Sequence, residues 1–343
     1  MPNSSIMVNP IKTALLAYGM SGRVFHAPFL SDNKNFDFYA VLERTKNEAQ
    51  KDYPNIITYN NIESLLADTY IELVIINTPN NTHYDFTIQA LNAGKHILVE
   101  KPFATTNAQA QHIFALADSR NLKVMAYQNR RFDSDFLALK KVLESGKLGK
   151  ITEAHFRFDR FRNTIGAKEF KETAIPGSGI FYDLGAHLLD QAIALFGTPQ
   201  SFTKTYGRFR EQSEVDDFAQ AQLKYSDGKT IFITTNMLVL KPQAAYTIYG
   251  TNGIFTKMRA DEQENQLIAK IDLDDTSYGV EKPGNEGCLT YLNQLGEKVE
   301  EKIPSLPGNY MEVFNEVFLT VKFDKPYFIN PDDILAQLEI LQP

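Results

Sequence analysis

The sequence predicts an α/β protein, with a doubly wound parallel sheet in its first third and an α/β domain on a mostly antiparallel sheet after it. Three observations carry this. Short apolar runs alternate with helical patterns as far as about residue 130. A glycine turn at Gly19 and Gly22 follows the first apolar run. Beyond residue 130 the apolar runs succeed one another through short Gly-containing links. Strands separated by helices run parallel with both faces covered, and strands joined by short links pair antiparallel.

Thr13 to Tyr18 reads as a buried strand, and the glycine turn after it opens a helical stretch. Phe36 to Glu43 is a second strand and Leu73 to Asn77 a third. Thr82 to Ala93 is an amphipathic helix closed by Gly94. His96 to Val99 is a strand, Asn107 to Asn121 a helix and Lys123 to Tyr127 a further strand. Such short continuous apolar strands fit burial on both sides. Asp133 to Ser145 then reads as a helix ended by Gly146 and Gly149, and Ile151 to Arg162 as a long extended segment. A helix is expected over Asp183 to Phe196. Strands are expected at Ser201 to Arg210, Phe218 to Tyr225, Thr230 to Leu238 and Ala245 to Tyr249. Helical patterns return at Tyr310 to Val321 and after Pro331. A length of 343 residues suits two domains, divided here as 1–130 and 131–343.

Hydrophobic residues at 43% and charged residues at 22% give the balance of a globular chain, not a disordered one. The net charge of -7 comes without a basic stripe, so there is no electrostatic footprint for nucleic acid. Cys288 is the only cysteine, which excludes an internal disulfide and a Cys-based metal cluster. Met1 to Pro10 lacks the basic and apolar regions of a signal peptide, and no apolar run reaches the length of a membrane span. The cytoplasm is the expected location.

Ala17-Tyr18-Gly19-Met20-Ser21-Gly22 is the Rossmann dinucleotide fingerprint with Ala in place of its first glycine. Gly19 would let the backbone approach a pyrophosphate, and Gly22 would allow close helix–strand packing. Glu43 ends the second strand, where an acidic side chain is expected to bind ribose hydroxyls and favour NAD. Arg44 follows it, and a guanidinium there suits the 2′-phosphate of NADP. The two residues argue in opposite directions and leave the choice open; as a bland alternative they form a solvated pair. Thr78-Pro79-Asn80 leaves the third strand at its carboxyl end, where ligands sit, although its composition also suits a plain turn.

Glu100-Lys101-Pro102 follows another strand at the same end. Partial desolvation there would make Lys101 a proton donor or an alcohol-orienting group, unless it is ordinary surface charge. Asp183, His187 and Asp190 share one face if their segment is helical. Oxidation of an alcohol needs a base for the hydroxyl proton, and a histidine beside a carboxylate supplies one. The alternative is a helix cap at Asp183 with a hydrogen-bonded histidine. No zinc motif is complete, so no metal is expected. Gln128, Asn129 and Arg130 leave the last strand of the first domain, and Arg160 and Arg162 alternate onto one face of the long extended segment. These suit a polyhydroxyl or anionic substrate; ion pairing is the alternative. His26 reads as structural, and His83 as structural or cofactor-adjacent.

Together, the segments Ala17 to Gly22, Thr78 to His83, Ala93-Gly94-Lys95-His96, Glu100-Lys101-Pro102 and Asp183 to Asp190 resemble the Gfo/Idh/MocA oxidoreductases in order and spacing. The resemblance covers nearly the whole chain. Phe25-His26-Ala27-Pro28, Gln128 to Asp133 and Gly177-Ser178-Gly179-Ile180 resemble the subgroup that includes scyllo-inositol dehydrogenases. The resemblance implies a Rossmann domain and an α/β domain with a large open sheet, used in the family for assembly as homodimers or homotetramers. It implies NAD(P)(H) as cofactor and a polyol or sugar as substrate. Lys101 would contact the reacting oxygen, His187 would accept the proton and Asp183 would assist. The cofactor set expected is Tyr18, Gly19, Met20, Ser21, Gly22, Glu43, Arg44, Thr78, Pro79, Asn80, His83, Glu100, Lys101 and Asn129, with Gln128, Arg130, Arg160 and Arg162 toward substrate. Ala17 departs from the family pattern and implies altered turn geometry. The competing readings are a non-enzymatic NAD(P)-sensing regulator on the same fold, and a reductase of another small carbonyl or dihydrodiol.

Overall fold

The structure is a computed structural model that describes residues 9–166 and 172–342. The amino-terminal segment read above for a signal peptide falls, up to residue 8, outside the described residues. The chain divides into two compact units. The first comprises Met1–Phe103, Ala108–Tyr127 and Met311–Asn330; the second comprises Ala104–Asn107, Gln128–Tyr310 and Pro331–Pro343.

In the first unit six strands form one sheet: β1 Ile11–Leu15, β2 Phe36–Leu42, β3 Ile57–Tyr59, β4 Leu73–Ile76, β5 His96–Val99 and β6 Val124–Ala126. Their order is β3-β2-β1-β4-β5-β6, and every pair is parallel. This is the doubly wound arrangement, and its order reverses between β1 and β4. Burial of β4 on both faces explains its uninterrupted Leu-Val-Ile-Ile. The sequence reading lacks β3, because three residues with Ile57 exposed show no period-2 pattern.

The helix Met311–Phe323 belongs to this first unit, although it follows the second in sequence. Phe314 stacks on Phe29 at 5.3 Å between ring centroids and meets the edge of Phe36 at 6.0 Å. Asn33 donates to Asn315 at 3.0 Å, and Lys322 pairs with Glu72 at 2.6 Å. The periodicity of this helix shows that it has an apolar face but not which sheet covers it. The structure therefore departs from a plain division at residue 130.

The second unit is built on eight strands: β7 Ile151–Asp159, β8 Ser201–Gly207, β9 Phe218–Lys224, β10 Thr230–Asn236, β11 Tyr246–Gly250, β12 Gly253–Lys257, β13 Gly287–Leu292 and β14 Lys298–Ile303. They lie in the order β14-β13-β12-β11-β7-β10-β9-β8. All neighbours are antiparallel except β7 and β10. Burial alternates along β7 and β9, so one sheet face is packed. Helices Ser134–Glu144 and Ala186–Phe196 cover that face, with Phe136 against Tyr246 and Phe196 against Phe156. Leu188, Leu189 and Ile193 are each at most 2% exposed, and each such side chain contributes about 2 kcal/mol by burial. The expected strands stopped at Tyr249, whereas β12, β13 and β14 extend the sheet. Charges break the apolar signal of β14, Lys-Val-Glu-Glu-Lys-Ile, and charge suits a sheet edge. Among the described residues no helix is long and apolar enough to cross a membrane.

Candidate functional site

In the first unit the glycine turn sits at the carboxyl end of β1. Ala17 N–H donates to Asn77 Oδ1 at 3.0 Å, and Asn77 Nδ2 donates back to the Ala17 carbonyl at 2.8 Å. A Cβ on Gly22 would lie 2.2 Å from that carbonyl oxygen and 3.0 Å from Asn77 Nδ2. A Cβ on Gly19 would meet nothing within 4 Å. One glycine is thus required by its own protein neighbours, and the other leaves open space in front of the turn. This pattern fits a phosphate-bearing dinucleotide approaching at Gly19.

The chain continues through a π-helical turn, Gly22–His26, into the helix Ala27–Asp32. Pro28 has no N–H for the Val24 carbonyl and its ring crowds that carbonyl, which breaks the regular α pattern here. Tyr18 is buried, and its hydroxyl donates to Asp52 at 2.8 Å. Arg23 lies over the Tyr18 ring at 5.7 Å and pairs with Asp52 at 3.5 Å.

Glu100, at the end of β5, is the hub of this half. Its Oε1 accepts from the Ser21 hydroxyl at 2.7 Å and contacts His26 Nε2 at 2.9 Å; its Oε2 accepts from Lys101 N–H at 3.1 Å. Burial alone would push the carboxyl up. The His26 ring, the Ser21 hydroxyl and the Lys101 charge outweigh burial and hold it at about 2, against an ordinary 4.5. A carboxyl lowered on folding stabilises the fold above its unfolded value and loses that contribution as pH falls toward the folded one, here from about 4.5 to 2. Replacing Glu100 with Gln is expected to flatten the decline in urea-measured stability between about pH 5 and about pH 3 by roughly 2 kcal/mol. The same slope in variant and parent would remove this role from Glu100.

His83 is fully buried and joins two loops. Its Nδ1 lies 2.8 Å from the Pro102 carbonyl and its Nε2 lies 2.9 Å from the Thr78 carbonyl. Burial pushes the ring below its ordinary value, while both carbonyls pull it back up. A neutral ring donates to one carbonyl at a time. The clamp fixes the loop after β4, with Pro79 and Asn80, to the segment after β5 that carries Lys101. Lys101 is half-buried, and the Lys101–Pro102 peptide is cis. Glu43 is buried and accepts backbone N–H groups from Glu48 and Ala49, whereas Arg44 is exposed. Met20 is exposed at the tip of the turn.

The second unit holds Asp183 and His187. They do not share one continuous α-helix: Phe181–Gly185 forms a π-helical turn and Ala186–Phe196 the α-helix. Gly185 makes room for the Phe181 ring, since a Cβ there would lie 2.5 Å from it. Single π turns of this kind recur at functional sites. Asp216 anchors the start of the segment: its backbone carbonyl accepts from Ile180 N–H at 3.0 Å and its carboxylate accepts from Phe181 N–H at 2.9 Å. Gly179, at φ +91, lies directly over that carboxylate, where a Cβ would fall 1.9 Å from Oδ1. Burial pushes Asp216 up to about 6 despite the Phe181 hydrogen bond.

His187 is 6% exposed and Asp183 is half-buried. Asp190, expected on the same face, is taken by Arg131 through hydrogen bonds of 2.8 Å to each oxygen. Gln337 holds the Ala186 carbonyl at 2.5 Å and accepts from Gln128 at 3.3 Å, so Gln128 reaches the His187 helix through it. Arg130 is engaged by Glu264 at 2.6 Å and Asp133 at 3.2 Å. Asn129 is buried in the short helical turn Asn129–Phe132. Arg160 and Arg162 lie just beyond the end of β7. Burial pushes the Arg160 guanidinium down while the Asp183 charge draws it up, which places those two residues in one electrostatic neighbourhood. Arg162 is exposed.

Sequence reasoning missed Asp216 and Gln337 as shaping residues, and it named Ser21, His26 and Glu100 without the contacts that join them. The one local signal was Gly177-Ser178-Gly179, whose positive φ at Gly177 and Gly179 marks an unusual approach to Asp183.

Comparison with known proteins bears on both units. A model of an oxidoreductase family with an NAD-binding Rossmann fold matches residues 11–128, and a model of the GFO/IDH/MocA C-terminal domain matches residues 136–256. An uncharacterised oxidoreductase of Schizosaccharomyces pombe is 37% identical, covering 97% of this chain and 96% of that protein. The scyllo-inositol 2-dehydrogenase (NADP(+)) IolW of Bacillus subtilis is 32% identical, covering 98% of this chain and 93% of that protein. A solved oxidoreductase structure from Bacillus cereus superposes with a TM-score of 0.90 at 32% identity, covering 96% of this chain and 94% of that one.

Proposed function

The chain belongs to the GFO/IDH/MocA oxidoreductase family, and from that premise we propose that it is an NAD(P)-dependent dehydrogenase of a sugar or cyclitol, inositol-like in class. The observation that supports this best is the Ser21–Glu100–Lys101 linkage. It makes the open glycine turn and the lysine at the end of β5 parts of one hydrogen-bonded arrangement. The bond to Lys101 is made by its backbone N–H, which fixes where the lysine leaves the strand.

The residues that would hold the dinucleotide are Tyr18 to Gly22, Thr78 to Asn80, Arg44, Glu100, Lys101 and Asn129; Glu43 and His83, expected in this set, are instead engaged by the backbone and would act by positioning the loops around it. When bound, it supplies the hydride acceptor. Lys101 orients the substrate hydroxyl and stabilises negative charge on its oxygen. His187 takes the hydroxyl proton, and Asp183 stabilises the resulting charged ring. The Asp183 charge acts on the Arg160 guanidinium, so a cation lies within electrostatic reach of that carboxylate. Gln128, Arg130, Arg160 and Arg162 form the substrate-facing set; among them Arg130 also has structural partners in Glu264 and Asp133.

The inositol class is supported by the name of the Bacillus subtilis relative. Nicotinamide absorbance is the direct test, with NAD+ and NADP+ in parallel against a panel of inositols and aldoses. Reduction driven by one inositol isomer is expected. Tight dinucleotide binding with no turnover on any polyol would defeat the reading and shift weight to a regulator.

A further inference from the structure

The π turn that carries Asp183 hangs on Asp216, which stands just before β9. The residue after Asp216 is built into the sheet: Asp217 N–H donates to the Gly207 carbonyl at 3.0 Å, and the Asp217 carbonyl accepts from Met237 N–H at 2.9 Å. From this rigid end Asp216 reaches three consecutive residues. Its carbonyl accepts from Ile180 N–H, its Oδ2 accepts from Phe181 N–H, and its Oδ1 lies where a Cβ on Gly179 would be 1.9 Å away. The contacts run on toward the reacting groups. Asp183 N–H donates to the Gly179 carbonyl at 3.1 Å. Ala186 N–H closes the π turn on the Phe181 carbonyl. Asp183 and the residue before His187 are thus each one backbone hydrogen bond from a residue that Asp216 holds.

No cation balances this carboxylate. Among the described residues Asp216 makes no ion pair, whereas Asp217 beside it takes Arg210. The other ionisable groups that face it are Tyr206 on β8 and Tyr182 in the turn itself. Burial, aided by the Asp216 charge, pushes both phenols up, so they stay neutral over the ordinary pH range. For Asp216, burial and then the Asp217 charge outweigh the backbone N–H groups and bring the carboxyl up to about 6.

We propose that Asp216 is a positioning residue for proton transfer: ionised, it holds the π turn so that Asp183 and His187 meet the substrate, and protonated, it lets the turn slacken. A carboxylate accepts an amide hydrogen bond more strongly than a neutral carboxyl does. Protonation of Asp216 should therefore lower kcat by about tenfold, beyond the loss from His187 itself. The acid loss is not unfolding on the part of this group. A carboxyl raised on folding adds stability as pH falls through its folded value, so turnover and the Asp216 contribution to stability move in opposite directions below about pH 6. This inference rests on the reading that His187 takes the hydroxyl proton, and it adds the group that sets the aim.

The test has two arms. The first needs neither substrate nor an altered Asp216. The full chain is made with isotope-labelled phenylalanine, Phe181→Leu assigns the Phe181 amide, and that amide is followed by NMR through mild acid. It should shift with a midpoint near 6, and Asp216→Asn should remove the midpoint. The second arm is kcat against pH with the polyol that supports turnover. The parent should lose activity in acid over two protons, one on His187 and one on Asp216. Asp216→Asn should begin about tenfold lower at neutral pH and fall over one proton only. A merely structural role would lower the whole curve and keep its shape. A Phe181 amide that does not titrate would overturn the proposal and leave the dehydrogenase reading standing. So would an Asp216→Asn curve with the shape of the parent's. An amide that titrates in a protein that oxidises no polyol would overturn both, since no proton transfer would remain for Asp216 to position.

Discussion

Replacing His187 with Ala is expected to lower kcat by about a thousandfold, the scale of a lost general base, with little change in dinucleotide affinity. The residue lies two positions beyond the π turn, 6% exposed, on a helix whose first carbonyl is held by Gln337. Its surroundings therefore resist repacking, and the loss reports on the imidazole. Lys101→Ala is expected to cost a comparable factor through lost charge stabilisation at the reacting oxygen. The assignment gives both side chains to one reacting hydroxyl, so the double variant should be scarcely slower than the worse single one. Multiplying losses would mean that the two residues serve separate steps. His187→Gln controls for packing: with equal thermal midpoints and the same loss, proton transfer is the missing element. Wild-type turnover in both single variants would dispose of the mechanism.

Much of the fold was legible because its signals are local. The strand–helix alternation, the spacing of Gly19 and Gly22 and the inward period of β7 and β9 each need only a few neighbouring residues. The parts that were not legible depend on partners far along the chain. Glu100 reads as one member of a three-residue motif, but its contacts with Ser21 and His26 span 79 and 74 positions. Asp190 reads as a third polar residue beside His187, yet Arg131, 59 positions earlier, neutralises it. The expectation of one continuous helix over Asp183 to Phe196 assumed a constant period. Gly185 allows the Phe181 ring to sit against its backbone, and the first turn widens. Glu43 illustrates the same limit. Its position after β2 suggests a ribose acceptor, and only the backbone of residues 48 and 49 reveals where its carboxylate is spent.

The two fingerprint glycines should separate under substitution, one through stability and the other through binding. Gly22→Ala would force a methyl to 2.2 Å from the Ala17 carbonyl oxygen, a backbone atom pinned through Asn77. No flexible side chain is available to yield, so β1 or the turn must move. A loss of about 3 kcal/mol in unfolding free energy is expected, the upper range for a forced methyl. Displacing Ala17 also breaks its paired hydrogen bonds with Asn77, and dinucleotide affinity should fall with stability. Gly19→Ala meets no atom within 4 Å. Its stability should stay level or rise by about 0.5 kcal/mol, because alanine lowers the entropy of the unfolded chain. Its dinucleotide affinity should still drop, because the methyl enters the space left for the pyrophosphate. Urea unfolding and ligand titration on the same two variants decide the matter. Full affinity in Gly19→Ala would mean that no ligand approaches this turn, and an unchanged midpoint in Gly22→Ala would mean that the turn relaxes where the packing says it is held.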